Sequence, residues 1–185
     1  MKKVLVPIAD GVEDIETVTI IDILRRAQID VTVASIYNDR KDIIASRRTK
    51  IRADKKLNEI TNEDFDLVAL PGGLPGAENL RDSEILIKKL KDQNESGKLY
   101  AAICASPVYV LQTHGLLEGK NATCFPGERG NLINNAMADK KVVVDRNCIT
   151  SQGVGTAIDF ALELVNQLEG KEIRDKIAKA IVYER

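Results

Sequence analysis

Short apolar segments alternate with longer amphipathic segments along most of this chain. The apolar segments predict strands at 4–9, 31–36, 65–70 and 99–104. The run at 99–103 is apolar at every position, and the segment at 31–36 is rich in β-branched residues. Such runs are typical of strands buried on both faces of a parallel sheet. The amphipathic segments predict helices at 13–27, 83–96, 106–114, 156–168 and 171–182.

The order of these elements predicts the fold class. Strands that alternate with helices indicate an α/β fold, with a mostly parallel sheet and helices on both of its faces. Neither an internal repeat nor a linker interrupts the pattern, so we expect residues 1–185 to form one domain.

Smaller elements are predicted between the main ones. They are hairpins at 43–44 with 49–51 and at 141–145 with 148–151, a short strand and turn at 119–126, and a short helix at 128–135. Within the helix at 13–27, a three-residue spacing predicts that the inner face is formed by Ile15, Val18, Ile21 and Leu24.

Composition and charge narrow the possible functions. The chain is 44% hydrophobic and 30% charged, with a net charge of −1, which is typical of a globular protein and argues against a dedicated nucleic-acid or membrane surface. The first apolar run ends at Asp10 and acidic residues follow, so it predicts a strand and not an export signal. No apolar run approaches the length of a membrane span.

The chain has three cysteines, Cys104, Cys124 and Cys148. An odd number at wide spacing indicates neither a disulfide framework nor a zinc site, and a cytoplasmic location is expected. Since no cluster of metal ligands is present, we expect no metal and no organic cofactor. Nothing around Cys124 or Cys148 predicts reactivity, so both are interpreted as core or surface thiols.

Cys104 lies where a buried strand turns into a helix. Ser106 and Pro107 follow it, and both residue types are favoured at a helix start. Similar strand-to-helix elbows expose the nucleophile in other α/β enzymes. A thiol at this position faces the helix dipole and free backbone N–H groups, which predicts a lowered pKa and a reactive thiolate. The alternative is a buried cysteine that only packs.

Four loops are expected to meet at the carboxyl edge of the sheet, where ligands bind in such folds. They are 10–16, 71–76, 104–106 and 151–156. The N–H groups of Gly73 and Ala105 could hold an oxyanion beside Cys104, although an ordinary turn would also explain the Pro-Gly-Gly sequence. The Gly153-Val-Gly155 sequence is not followed by a strand–helix–strand unit, so it does not predict a dinucleotide site.

Glu16 is a candidate partner for the thiol. Acids favour the start of a helix, so Glu13 or Asp14 is expected to be solvated there. Glu16 lies about one turn after Val12 and could turn inward, where burial would raise its pKa and let it donate or move a proton. His114 lies roughly 15 Å from Cys104 along the helix, so it is interpreted as a helix C-cap and not as a base.

Four segments together resemble the ThiJ/PfpI superfamily, within it the branch of the Parkinson-disease-associated protein deglycase and its bacterial relatives. They are Glu13-Asp-Ile-Glu-Thr17, Leu70-Pro-Gly-Gly73, Ala101-Ala-Ile-Cys-Ala105 and Thr150-Ser-Gln-Gly-Val-Gly-Thr-Ala157. The resemblance implies a flavodoxin-like three-layer sandwich and a homodimer. It implies that Cys104 is the reactive cysteine, Glu16 its partner, and Gly73 and Ala105 the backbone donors. The pocket is then lined by Gly72, Ser106, Phe125 and Gly153.

The resemblance also implies a set of activities. Members of this branch are described as glutathione-independent glyoxalases, as deglycases of early glycation adducts, as oxidation sensors and as holdase chaperones. Two departures matter here. Ala105 stands where the protease-like branch has a histidine, which argues against a peptidase. Phe125 stands where the human-type branch has a histidine.

These observations lead to two main hypotheses. In the first, Cys104 attacks the aldehyde of a 2-oxoaldehyde, Glu16 moves a proton between the two carbons of the substrate, and hydrolysis releases a 2-hydroxy acid. The partner is then a small carbonyl substrate or a glycated protein. In the second, Cys104 is a peroxide sensor that acts on a protein client. A peptidase would need His114 from a partner subunit.

Overall fold

A computed structural model describes residues 1–183 as a seven-stranded sheet flanked by helices. The sheet contains β1 (Lys3–Ile8), β2 (Asp30–Ser35), β5 (Lys55–Lys56), β6 (Leu67–Leu70), β7 (Leu99–Ile103), β8 (Val142–Asp145) and β9 (Cys148–Ser151). Their order across the sheet is β5-β2-β1-β6-β7-β9-β8. All neighbouring strands are parallel except β8 and β9, so the predicted mostly parallel sheet is confirmed.

Within residues 1–183, five α-helices accompany the sheet. They are α1 (Asp14–Arg26), α2 (Gly76–Arg81), α3 (Glu84–Ser96), α4 (Ala157–Glu169) and α5 (Lys171–Ala180). Helix α1 packs against α4, which in turn packs against α5, while α3 lies against β6 and β7. The result is the flavodoxin-like three-layer arrangement that the sequence predicts. The sequence pattern missed α2, which is only six residues long.

The central strands are apolar because helices cover both faces of the sheet. Every residue of β6 is buried, and so are all residues of β1 after its first. Burial of such runs is the main favourable term in folding. Register follows from the same pattern, with Leu67 opposite Leu99 and Ala69 opposite Ala101.

The predicted inner face of α1 is wrong at two positions. Ile15 and Val18 are 54% and 52% exposed, whereas Ile20 and Ile23 are buried with Leu24. The three-residue spacing identified an apolar stripe, but the buried stripe is rotated away from it. This rotation brings Glu16 and Thr17 to the inside of the molecule.

Both predicted hairpins are confirmed, the first as β3 (Asp42–Ile44) with β4 (Lys50–Arg52) and the second as β8 with β9. The strand predicted at 119–126 is wrong, because these residues form an irregular segment. The helix predicted at 128–135 is instead a 3₁₀ segment over Pro126–Asn131, where Pro126 favours an early start. No helix within residues 1–183 combines the length and the apolar character that crossing a membrane requires.

The helix after the elbow is shorter than predicted. It covers Pro107–Gln112 and is π-helical, with the wider turn that such helices have. Ser106 does not cap it; its hydroxyl donates instead to the Pro71 carbonyl at 2.6 Å. This bond ties the elbow to the loop that follows β6.

Candidate active site

Cys104 occupies a strained turn at the end of β7. Its φ is +66°, a left-handed conformation that costs a non-glycine residue on the order of 1–3 kcal/mol. Two backbone hydrogen bonds hold it there: the Cys104 N–H donates to the Ser151 carbonyl at 3.0 Å, and the Cys104 carbonyl accepts from the Phe125 N–H at 2.8 Å. The nucleophile elbow that the sequence predicts is therefore present.

Glu16 reaches the elbow from the first turn of α1. Its side chain is fully buried, as the inward orientation predicted from the sequence requires. Oε2 accepts the N–H of Gly72 at 2.8 Å. Oε1 is buried without a protein hydrogen-bond partner other than the thiol of Cys104, against which the carboxyl lies. One carboxyl oxygen thus positions the side chain, and the other is free to exchange a proton.

Gly72 allows the carboxyl and the thiol to approach each other. A Cβ at this position would lie 2.6 Å from Cβ of Cys104, 2.7 Å from the Ile103 carbonyl oxygen and 3.0 Å from Oε2 of Glu16. Real Cβ atoms do not approach other atoms so closely, so only glycine fits here. The sequence identified Gly72 as a pocket residue but not as the donor that holds Glu16.

Two backbone N–H groups point at the sulfur of Cys104. They belong to Gly73 and Ala105, the two donors that the resemblance implies. Gly73 has a φ of +87°, and a Cβ on it would lie 2.5 Å from the Glu13 nitrogen. Such paired N–H groups favour negative charge on the sulfur or on an oxygen bonded to its substrate.

The electrostatics of the thiol differ from the prediction. Burial, followed by the charge of Glu16 and its hydrogen bond, raises the pKa of Cys104 to about 12, although the N–H groups of Gly73 and Ala105 lower it. The lowered pKa predicted from the elbow is therefore wrong for the site with Glu16 ionised. The helix that follows has only six residues, and burial and the Glu16 carboxyl together outweigh the two N–H groups.

The pKa of Glu16 is raised to about 7. Burial is the main cause, the hydrogen bonds from Gly72 and Cys104 act against it, and the charge of Glu13 adds to it. A carboxyl with this pKa is available as an acid and as a base near neutral pH. When Glu16 takes up a proton, the charge that raises the Cys104 pKa disappears.

The remaining predicted pocket residues surround the same point. A Cβ on Gly153 would lie 3.7 Å from Sγ of Cys104, 3.8 Å from Oε1 of Glu16 and 3.8 Å from Cδ2 of Phe125. The loops that carry these residues therefore meet at one edge of the sheet. Ser106 is buried and its hydroxyl donates to the Pro71 carbonyl, so it stabilises the turn.

Of the two acids predicted to include a solvated one, Glu13 is not solvated. Its side chain is buried, and its carboxyl caps α1 by accepting the Glu16 N–H at 2.8 Å. Glu13 thereby fixes the start of the helix that carries Glu16. The spacing of two glutamates at i and i+3 at a helix start was the available signal, since capping boxes use this spacing.

The other candidate thiols and the histidine lie outside this cluster. Cys124 and Cys148 are buried in the core, and burial raises the pKa of Cys148 to about 12. Nε2 of His114 lies 3.0 Å from the carbonyl of Arg81, the last residue of α2. His114 therefore contacts the end of a neighbouring helix and not the end of its own.

The chain is similar to known proteins over almost its whole length. The profile of the DJ-1/PfpI family matches residues 2–167. The chain is 47% identical to Protein DJ-1 homolog B of Arabidopsis thaliana, over 96% of this chain and 40% of that one. It likewise spans only 45% of Protein DJ-1 homolog A from the same plant, so it covers less than half of the length of these two relatives.

Relatives of similar length also match this chain over almost its whole length. The chain is 33% identical to the Glutathione-independent glyoxalase DJR-1.2 of Caenorhabditis elegans, over 96% of this chain and 94% of that one. The solved structure of oxidized Toxoplasma gondii DJ-1 superposes with a TM-score of 0.97 at 45% identity, covering all of both chains. The chain described here belongs to the DJ-1/PfpI family.

Proposed function

We propose that this protein converts 2-oxoaldehydes to 2-hydroxy acids, with Cys104 as nucleophile and without glutathione. The observation that carries the proposal is the free Oε1 of Glu16, which is buried against the thiol of Cys104. A buried oxygen with no other partner costs free energy, so its presence indicates a functional role in the site. The glyoxalase name of the relative from Caenorhabditis elegans supports the same chemistry.

The first step forms a bond between sulfur and the aldehyde carbon. The thiol proton passes to the Glu16 carboxylate as Sγ attacks, and the C=O electron pair moves onto oxygen. The N–H groups of Gly73 and Ala105 are positioned to stabilise that oxyanion. Return of the proton from Glu16 to the oxygen gives a neutral hemithioacetal.

The second step moves a proton between the two substrate carbons. Glu16 takes the proton from the carbon bonded to sulfur, and the electron pair moves onto the ketone oxygen, which gives an enediolate. The hydroxyl proton passes to that oxygen, and Glu16 returns its own proton to the neighbouring carbon as the C=O of the thioester forms. The product is a thioester of the 2-hydroxy acid. Water then cleaves the C–S bond, so the thiol is restored and the acid is released. A base with a pKa near 7 suits both proton transfers.

The test is the formation of lactate from methylglyoxal. We expect Cys104→Ser and Glu16→Gln each to lower kcat/KM by at least 100-fold, since general acid–base groups contribute on the order of 10²–10⁴. Cys148→Ser is the matched control, because it replaces another buried thiol outside the site. Full turnover by Cys104→Ser would disprove the proposal.

The same residues could act on early adducts of these aldehydes with protein side chains, as a deglycase. The two substrates are separated by adding a scavenger of free aldehyde to the assay. If the adduct still disappears at an unchanged rate, the glycated protein is the substrate. If the reaction stops, the enzyme acts on the free aldehyde.

A second candidate function is the sensing of peroxide. Sγ attacks a peroxide oxygen, the O–O bond breaks and water leaves, and a second peroxide yields the sulfinate. Protonated Glu16 and the two N–H groups offer donors to the oxygens that sulfur gains. Intact-mass analysis after mild peroxide should show two oxygens on Cys104 alone. Equal oxidation of Cys124 or Cys148 would contradict this function.

A homodimer and a cytoplasmic location complete the proposal. The exposed apolar side chains of Ile15 and Val18 on α1, with Ile158 on α4, form a face that a second copy could cover. A peptidase is less well supported, since His114 contacts Arg81 and the position after Cys104 is an alanine.

A further inference from the structure

Phe125 is a large aromatic residue held beside the reactive sulfur with 48% of its surface exposed. Its backbone is fixed on both sides. The N–H donates to the Cys104 carbonyl at 2.8 Å, and the carbonyl accepts the Glu128 N–H at 2.8 Å. The carbonyl also accepts from the thiol of Cys124 at 3.3 Å. These hydrogen bonds fix the position of Phe125, although its ring is not part of the core.

Glycines flank the ring on two sides. A Cβ on Gly127 would lie 3.0 Å from Cε1 of Phe125, which is closer than most Cβ contacts. A Cβ on Gly153 would lie 3.8 Å from Cδ2. One glycine therefore lets the ring pack closely on the 126–131 segment, and the other contributes no side chain beside the edge at Cδ2.

The ring edge at Cδ2 lies near the site. The Cβ position on Gly153 is within 3.7–3.8 Å of Sγ of Cys104, Oε1 of Glu16 and Cδ2 of Phe125 at once. These are ordinary van der Waals distances, so the sulfur, the carboxyl oxygen and the ring edge all border Gly153. A substrate bonded to the sulfur and in reach of the carboxyl therefore lies close to the phenyl ring, because all three groups border Gly153.

We propose that Phe125 is a specificity residue that binds the substituent on the ketone carbon, and that the site prefers aromatic 2-oxoaldehydes to methylglyoxal. This inference rests on the proposed function. A phenyl substituent would pack against the ring edge, whereas a methyl group leaves most of the ring in water. Aromatic pairs favour edge-to-face or offset contacts, which such a half-open ring can offer. No polar side chain is needed for this selection.

The first test compares kcat/KM for phenylglyoxal and for methylglyoxal. We expect Phe125→Leu to lower the value for phenylglyoxal divided by the value for methylglyoxal by roughly 2- to 12-fold, which is the range that an aromatic pair contributes. Val144→Ala, which changes an exposed apolar residue on the edge strand β8, should keep the wild-type ratio. An unchanged ratio in Phe125→Leu would overturn the proposal.

The second test does not depend on turnover. Cys104 is alkylated with iodoacetamide and with its N-phenyl derivative; in both, the C–S bond forms as iodide leaves, and the thiol proton is released. The rate with the N-phenyl derivative is divided by the rate with iodoacetamide, and this ratio is divided by the same ratio for free cysteine. The result should exceed 1 in the wild type and fall in Phe125→Leu and Phe125→Ala. Peptide mapping confirms that the label is on Cys104.

The two tests separate the possible failures. If no variant turns over either aldehyde but the alkylation ratio depends on Phe125, the proposed glyoxalase function fails and the aromatic binding role stands. If turnover occurs and neither ratio changes on substitution of Phe125, the aromatic role is wrong and the glyoxalase function stands.

Discussion

Glu16 and Gly72 are joined by a 2.8 Å hydrogen bond, from the glycine N–H to the carboxyl Oε2, although 56 positions separate them in the sequence. The bond places one buried carboxyl against the thiol of Cys104 and leaves its other oxygen without a protein hydrogen-bond partner apart from that thiol. It also determines the orientation of the pair, because the same glycine lies in contact with the Cys104 side chain.

Replacing Gly72 should damage both the fold and the site. In Gly72→Ala the new Cβ would meet Cβ of Cys104 at 2.6 Å and the Ile103 carbonyl at 2.7 Å. Overpacking of this kind costs about 1–3 kcal/mol, and the shift should also abolish lactate formation. Urea unfolding and the methylglyoxal assay check the two effects. Gly155→Ala is the control, since its Cβ would meet nothing within 4 Å; a fully active, fully stable Gly72→Ala would contradict the close packing.

Ionisation of Glu16 should oppose folding. Its pKa rises from 4.5 to about 7 in the folded protein, so the folded state holds the proton more tightly than the unfolded chain does. The favourable contribution is complete below pH 4.5 and is lost as the pH rises through 7. The lost stability amounts to about 3 kcal/mol.

Glu16→Gln removes this titration and retains an oxygen that can accept the Gly72 N–H. Its free energy of unfolding relative to wild type should therefore increase by about 3 kcal/mol between pH 4.5 and pH 8. Denaturant titrations at a series of pH values measure the difference. Glu95→Gln, at an exposed position of α3, should show no such trend, and a flat difference for Glu16→Gln would mean that its pKa is not raised.

A buried polar cluster at the start of β7 should contribute to stability. Tyr100 is fully buried; its hydroxyl donates to the Leu116 carbonyl at 2.7 Å and accepts from Nζ of Lys120. Nζ also donates to Oδ1 of Asn94 at 2.6 Å. Tyr100→Phe leaves a buried ammonium with one partner fewer, so the free energy of unfolding should fall by about 1–3 kcal/mol. Thermal unfolding of Tyr109→Phe, a partly exposed tyrosine, provides the comparison.

The exposed face of α1 should mediate dimerisation. Val18→Glu places a charge among Ile15 and its apolar neighbours, which a second copy would have to bury without a partner. Light scattering should report a dimer for the wild type and a monomer for Val18→Glu. Val144→Glu carries the same change on β8 and should remain dimeric; a monomeric wild type would contradict the proposed interface.

Local patterns in the sequence determined the four central strands, both hairpins and the elbow. Runs such as 99–103 are apolar at every position, and that property alone identifies a strand covered on two faces. The inward orientation of Glu16 could also be predicted, since the helix period places it about one turn from Val12. These features depend on neighbours in sequence, so no tertiary information was needed.

The tertiary structure decided the orientation of α1 and the electrostatics of the thiol. Two apolar stripes were possible on that helix, and only packing against α4 selected Ile20 and Ile23 over Ile15 and Val18. The pKa of Cys104 depends on how deeply the thiol is buried and on a carboxyl 88 positions away. Desolvation and charge act through space, and a linear sequence contains no distances.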